Sequence, residues 1–252
     1  MMIDLLYGRN AVREALRAGR RRIYAVYLAE GVKVRDALAD IVEMAERAGV
    51  PVRTAPREQM DKRLAGAKHH GILAEASPYP YVPLHELQEL CARREPPPLM
   101  LLLDHLQDPQ NVATLLRTAE ALGVDGVVMP AHRAAGVTPA VVNASAGAVE
   151  HLRIVQETNL VRAMQALQEA GLWLAGVELA PGAKLYVEAD LTGPLGLVVG
   201  SEGEGMSRLV RETCDFLIYL PMAGKVNSLN AAVAGSVALY EVWRQRAQAA
   251  RG

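Results

Sequence analysis

From residue 99 to the end of the chain, uninterrupted apolar runs alternate with amphipathic helical ones. This alternation restricts the fold more than any other feature. LMLLLD, GVVMP, LRIVQ, LWLAGVE, LGLVVG and FLIYLP read as strands. Between them NVATLLRTAEALG, NLVRAMQALQEAG and SRLVRETC have helical spacing, TPAVVNASAGAVE reads as helical, and SLNAAVAGSVALYEVWRQRAQ closes the series. Strands without a polar face must be covered on both sides, so the pattern predicts a parallel sheet between two layers of helices. Ligands of such sheets bind beyond the carboxyl ends of the strands. The loops after residues 104, 130, 178, 200 and 221 are therefore where chemistry is expected.

Residues 1–77 read as a separate, smaller α/β unit. NAVREALRA (10–18) places Val12, Ala15 and Leu16 on one helical face, and RIYAVYLAE (22–30) alternates like a strand. VRDALADIVEMAERAG (34–49) is a second amphipathic helix ended by Gly49 and Pro51, and PVRTA and GILAEAS supply further strands. Residues 78–98 carry prolines on both sides of a short helical piece, LHELQELCARRE, and read as a linker. The domains are thus expected at 1–77 and 99–252, and there are no internal repeats.

Aromatic residues make up only 4% of a chain that is 51% hydrophobic, so the core must be aliphatic. No run reaches the roughly 18 charge-free apolar residues that span a bilayer. The N-terminus carries Asp4 and no small-residue cleavage pattern, so it does not read as a secretory signal. Cys91 and Cys214 lie far apart and form no CxxC, which fits reduced thiols in a cytoplasmic protein. Among the six histidines only His69 and His70 are adjacent, and neighbours in a strand point to opposite faces, so no metal is expected.

Net charge is −1, yet residues 1–98 carry +3 and residues 99–252 carry −4. Six arginines fall within the first 22 residues, and arginine suits bidentate phosphate contact. Arg9, Arg20, Arg21 and Arg22 are the candidate RNA contacts, against the alternative of a solvated helix face.

Three loops carry distinctive residues. LLLDHLQDPQNVATLLRTAEALG offers Asp108 or Asn111 as a helix cap, with Arg117 six residues past Asn111. LGLVVGSEGEGMS runs a strand into three glycines within six residues, which permit positive φ and close backbone approach. It is neither GxGxxG nor GxxxxGK[ST], and Glu202 and Glu204 suit a cationic ligand or ribose hydroxyls better than a polyphosphate. YLPMAGKVNSLN places Asn227, Ser228 and Asn230 at the mouth of the last helix. One of them suffices as a cap, so three suggest a further use.

Jointly these segments resemble a known family. Asn111 with Arg117, GSEGEGMS at 200–207 and IYLPMAGKVNSLNAAVA at 218–234 resemble motifs 1, 2 and 3 of the SpoU/TrmH family of RNA ribose 2′-O-methyltransferases. The resemblance covers about residues 99–247. YGRNAVREAL at 7–16 and HHGILAEA at 69–76 resemble the substrate-binding domain of the RlmB-type rRNA subgroup, similar to L30e-like folds.

The resemblance implies a parallel-sheet SPOUT domain ending in a trefoil knot, with S-adenosylmethionine as cofactor. It implies a homodimer formed through the last helix and, as substrate, a guanosine of 23S rRNA. Gly200, Leu220 and Leu229 would line the cofactor pocket largely through backbone groups. Asn111, Glu202, Ser228 and Asn230 would position the reactants, and Lys225 would face RNA or solvent. Arg117 matches the residue assigned to activating the hydroxyl. A guanidinium with pKa above about 12 is a poor base, so stabilising alkoxide charge or gripping the adjacent phosphate is physically easier.

Two other readings stay open. A tRNA-directed enzyme shares the three motifs. A non-catalytic ribosome-associated RNA-binding protein would explain the basic N-terminus but not the Arg117, Glu202 and Asn230 set. A dinucleotide-dependent oxidoreductase would need glycines after the first strand of the domain, where HLQDPQNV has none.

Overall fold

The computed structural model describes residues 2–92, 95–225 and 228–251. Asn227, one of the three polar residues before the last helix, lies outside them. In chain order the first elements are β1 (Asp4–Tyr7), α1 (Arg9–Ala18), β2 (Ile23–Ala29), α2 (Ala37–Arg47), β3 (Val52–Ala55), α3 (Arg57–Arg63) and β4 (Ile72–Ala76). Then come α4 (Leu84–Cys91), β5 (Leu99–Leu103), α5 (Pro109–Ala121), β6 (Gly126–Pro130), α6 (Pro139–Ala144) and β7 (Ile154–Glu157). The remainder is α7 (Leu160–Glu169), β8 (Trp173–Val177), β9 (Lys184–Leu185), β10 (Leu195–Val199), α8 (Arg208–Thr213), β11 (Phe216–Tyr219) and α9 (Ala231–Ala249).

The chain forms two units. One comprises Met1–Pro80 together with Val137–His151, the other Tyr81–Gly136 with Leu152–Gly252. The N-terminal unit has a four-stranded sheet in the order β1-β4-β2-β3. β4 runs antiparallel to both β1 and β2, while β2 and β3 are parallel. Asn143 of α6 donates from Nδ2 to the Tyr7 carbonyl at 2.9 Å, tying the 137–151 segment to β1.

Arg21 is expected from sequence to contact RNA, and the structure corrects this. Its guanidinium is buried, donating to Asp4 at 2.7 Å, to Glu150 at 3.0 Å and to the Ser77 carbonyl at 3.0 Å, with the Tyr79 ring 5.2 Å away. Arg20 is half-buried and is engaged by the Tyr79 hydroxyl and the Pro80 carbonyl, each at 3.2 Å. Arg9 and Arg22 are exposed, and Arg22 lies over the Tyr24 ring.

The larger unit holds a seven-stranded sheet ordered β7-β6-β5-β10-β8-β11-β9, all of its neighbouring pairs parallel. β5, β6 and β10 are buried along their whole length, as their unbroken apolar sequences require. Chain progression reverses at the centre: β6 and β7 lie on one side of β5, β8 and β11 on the far side of β10. The crevice at such a reversal opens where the loops after β5 and β10 emerge.

Residues 78–98, expected as a linker, contain α4, which is part of this unit's core. Leu87 and Cys91 pack with Met100, Val128, Leu167 and Leu174. β6 begins with Gly126 because a Cβ there would stand 2.4 Å from a Leu87 methyl. On the other face α9 lies close to α5 at Gly235, where a Cβ would meet Leu115 at 2.6 Å and Val199 at 2.9 Å.

Candidate active site

Each of the three motif loops is shaped by a local device. Asp108 caps α5 by accepting from the Gln110 amide at 3.0 Å, with Pro109 in the first turn. Asn111, the other candidate cap, instead turns its side chain inward. In the loop after β10, Ser201 and Gly205 exchange backbone hydrogen bonds of 2.9 and 3.1 Å, closing a tight turn. Gly200 is buried beneath it: a Cβ would lie 2.3 Å from the Gly205 carbonyl carbon and 2.4 Å from the Met206 nitrogen. Glycine is needed at 200 for the loop to fold back on itself, and at 205 for its positive φ of 70°.

The last helix begins later than its sequence suggests, at Ala231, and leaves Ser228, Leu229 and Asn230 before its first turn. Asn230 Oδ1 accepts from the Ala232 and Val233 amides at 2.9 and 3.2 Å, the geometry of an N-cap. Its Nδ2 donates to Asn111 Oδ1 at 2.9 Å and to Glu202 Oε1 at 3.0 Å. Asn111 Nδ2 in turn donates to Asp108 Oδ2 at 2.9 Å and to Glu202 Oε1. One carboxylate oxygen thus accepts from two amides carried by motifs 1 and 3. The ring fixes both amide orientations, since either flip would oppose two donors or two acceptors.

Beside this junction lies a cavity of about 520 Å³, within the range of roughly 300–1,000 Å³ usual for small-molecule clefts. Its wall includes Gly200, Leu220, Ser228, Leu229, Glu202 and Asn230, six of the eight pocket and catalytic positions implied by the resemblance. Arg117 is not among its lining residues. It sits on the exposed side of α5 and has no side-chain partner among the described residues. Lys225 is exposed.

Two acids outside the three motifs hold the end of the loop after β10. Asp104, buried at the end of β5, accepts from the Ser207 amide at 2.7 Å and from His105 Nδ1 at 2.5 Å. Glu178, just past β8, accepts from the Met206 amide at 3.0 Å and from Arg211 at 2.7 Å. Consecutive backbone amides are therefore gripped by carboxylates from two different strands. A signal for both was present: each is the single acid ending an apolar parallel strand, where loops meet ligand. Burial, with Asp215, Glu178 and Asp104 nearby, pushes the Cys214 thiol up to about 12.

Glu178, Glu202 and Glu204 line the cavity, and among the described residues no lysine or arginine does. That lining suits a cation rather than a phosphate. S-adenosylmethionine carries a sulfonium, so the residues present fit it. Among the described residues no cluster of three or more histidines, cysteines or acids could hold a metal. No helix among them is long and apolar enough to cross a membrane.

Comparison with known proteins agrees with this geometry. Residues 98–240 match the SpoU rRNA Methylase family, and residues 5–82 match a domain described as RNA 2′-O ribose methyltransferase substrate binding. The chain is 41% identical over 243 residues, 96% of both chains, to a Bacillus subtilis (strain 168) protein named as the TrmH family tRNA/rRNA methyltransferase YacO. It superposes with TM-score 0.78 on the SpoU methyltransferase AviRb from Streptomyces viridochromogenes in complex with AdoMet, at 25% identity, covering 98% of this chain and 91% of that one. An AdoMet-bound rRNA methyltransferase from Sinorhizobium meliloti shares the fold with TM-score 0.79 at 22% identity, covering 96% and 87%.

Proposed function

The chain belongs to the SpoU rRNA methylase family, and from that premise we propose that its substrate is a guanosine of large-subunit 23S rRNA, methylated on the ribose 2′-oxygen. It is an S-adenosylmethionine-dependent RNA ribose 2′-O-methyltransferase. When bound, S-adenosylmethionine supplies an electrophilic methyl group on a sulfonium. The protein's part is to hold the sugar in line with that methyl and to manage the hydroxyl proton.

The observation that carries the site assignment is the Asn111–Glu202–Asn230 ring at the cavity wall. Glu202 Oε1 is occupied by two amide donors, and its second oxygen has no partner among the described residues. That oxygen accepts the hydrogen bond of the ribose hydroxyl. Ser228, exposed on the same wall, supplies a second polar contact. The backbones of Gly200, Leu220 and Leu229 hold the adenosine end of the cofactor. Arg117, unpaired and permanently cationic, stabilises charge on the oxygen or grips the neighbouring phosphate.

The 23S rRNA assignment rests on the likeness of YGRNAVREAL and HHGILAEA to the rRNA subgroup's substrate-binding domain. By family likeness the C-terminal segment is knotted as a trefoil, the N-terminal unit is L30e-like and the protein acts in the cytoplasm. The protein works as a homodimer. Val233, Val237 and Tyr240 form an exposed apolar stripe on α9, at 45%, 37% and 57% exposure, on the helix that also carries the Asn230 cap. Mapping methylated riboses in rRNA and tRNA from a strain lacking the gene tests the substrate. One missing mark on a 23S guanosine is expected; a loss confined to tRNA overturns the assignment.

A further inference from the structure

A second, smaller hollow of about 270 Å³ adjoins the cofactor cavity. Ser201, Glu202 and Glu204 line both, and Asp108 and Asn111 of the first motif loop form part of the smaller one's wall. In-line transfer sets the donor sulfur and the acceptor oxygen on opposite sides of the methyl group. The acceptor therefore needs a space next to the cofactor's and not within it. With S-adenosylmethionine in the larger cavity, the smaller hollow is the space left for the target nucleotide.

Most carboxylate oxygens there are already engaged. Asp108 accepts with both of its own, from the Gln110 amide and from Asn111 Nδ2. Glu202 Oε1 accepts from Asn111 and Asn230. Glu204 differs: it is exposed, and neither of its oxygens has a partner among the described residues. Among those residues no lysine or arginine lines the hollow to claim it. His105 shares the lining. Its φ is 56°, in the left-handed region that residues with a side chain enter at a cost, and such outliers gather at functional positions. Buried Asp104 holds it there, accepting from Nδ1 at 2.5 Å. A pinned flat ring and an unpaired carboxylate thus meet in one hollow.

We infer that Glu204 reads the target base, accepting from the N1–H and the N2 amino group of guanine, with the His105 imidazole as a surface for the base to stack on. The inference rests on the guanosine reading above and names the residue that makes the site selective for it. An unpaired base offers a protein its Watson–Crick edge and the faces of its ring. Of the four bases only guanine presents two adjacent donors on that edge. Adenine and cytosine set a donor beside an acceptor, and uracil sets one donor between two acceptors. A carboxylate has two acceptors and no donor, so it meets guanine twice and any other base at most once.

The test uses the full-length protein and synthetic 23S rRNA fragments spanning the mapped nucleotide, with guanosine, inosine or adenosine at that position. Inosine lacks only the N2 amino group. The kcat/KM of methyl transfer is measured for wild type, Glu204→Ala and Glu204→Gln. Wild type is expected to prefer guanosine over inosine by about 10- to 100-fold, the scale of one hydrogen bond to a charged group. Glu204→Ala should bring that ratio close to one, because the group that tells the two bases apart is gone. Glu204→Gln presents one donor and one acceptor, the complement of adenine, and should raise the adenosine-to-guanosine ratio by about tenfold over wild type. A wild-type ratio near one, or an unchanged ratio in Glu204→Ala, overturns the inference. So does a loss of S-adenosylmethionine affinity in that variant with the ratio intact, which would give Glu204 to the cofactor. Should the alanine variant melt early, the nearly isosteric glutamine variant is read by the same ratios. A mark mapped to a base other than guanine sinks the guanosine reading itself, and it shows before any variant is made.

Discussion

Asn230 serves the helix with one atom and the site with another, so substitutions can separate the two. Serine keeps an oxygen at the N-cap and should leave the melting temperature close to wild type. Alanine removes the cap and should cost about 1 kcal/mol of stability. Both lose the Nδ2 that reaches Asn111 and Glu202. Both should therefore lower turnover by about 100-fold, the scale of one preorganised polar contact. A serine variant with native turnover would show that the ring has no catalytic use. These three residues were legible because motif spacing fixes identity. Asp104 and Glu178 were marked only as lone acids at the ends of apolar strands, and their partners were not legible, because each acts on a backbone amide and amides leave no mark in a sequence. The cysteines make a further point at this scale. Burial raises Cys91 to about 11 and Cys214 to about 12, against about 8.5 unfolded. Above that unfolded value the native state holds more protons than the unfolded chain, so stability falls as pH rises toward 11. Melting temperature followed from pH 8 to 10 should drop less steeply in a Cys91→Ala, Cys214→Ala variant than in wild type.

Among the elements, α4 shows how punctuation misleads. Pro83 before it and Pro96 to Pro98 after it bound a helix, but they say nothing about which face of that helix is covered. Leu87 is fully buried against the sheet and α7. Leu87→Ala should cost about 2–5 kcal/mol, measured by urea unfolding, as for other buried leucines. A cost within about 0.5 kcal/mol, the surface norm, would restore the linker reading. The central strands were legible from sequence because burial on both faces makes them continuously apolar. β1 and α3 were not. β1 has four residues with only Leu6 buried, and α3, REQMDKR, buries only Met60. Neither length supports a recognisable period.

At the scale of the molecule, the chain leaves the N-terminal unit at Pro80, re-enters it at Val137 and leaves again after His151. The boundary expected at residue 77 assumes that a domain is one continuous stretch, and no local pattern warns otherwise. The re-entrant segment contributes buried polar partners. Glu150 pairs with Arg21, both almost wholly removed from solvent, and the Val149 carbonyl accepts from the Tyr79 hydroxyl at 3.2 Å. His151 bonds Glu14 at 3.0 Å. Removing one partner of a buried ion pair strands the other without water, which costs about 3–5 kcal/mol, more than the pair contributes over a well-packed apolar pair. Glu150→Ala should therefore destabilise the protein by that amount even though position 150 lies outside residues 1–80. A fragment ending at Pro80 should show the same defect more severely, with weak amide protection in hydrogen exchange along β1 and β4. Asp4 would remain as a partner for Arg21, at 2.7 Å, so the loss in Glu150→Ala stays partial and measurable rather than abolishing the fold. If the fragment instead protects those amides as the full chain does, the 137–151 segment is a passenger and the unit is continuous after all.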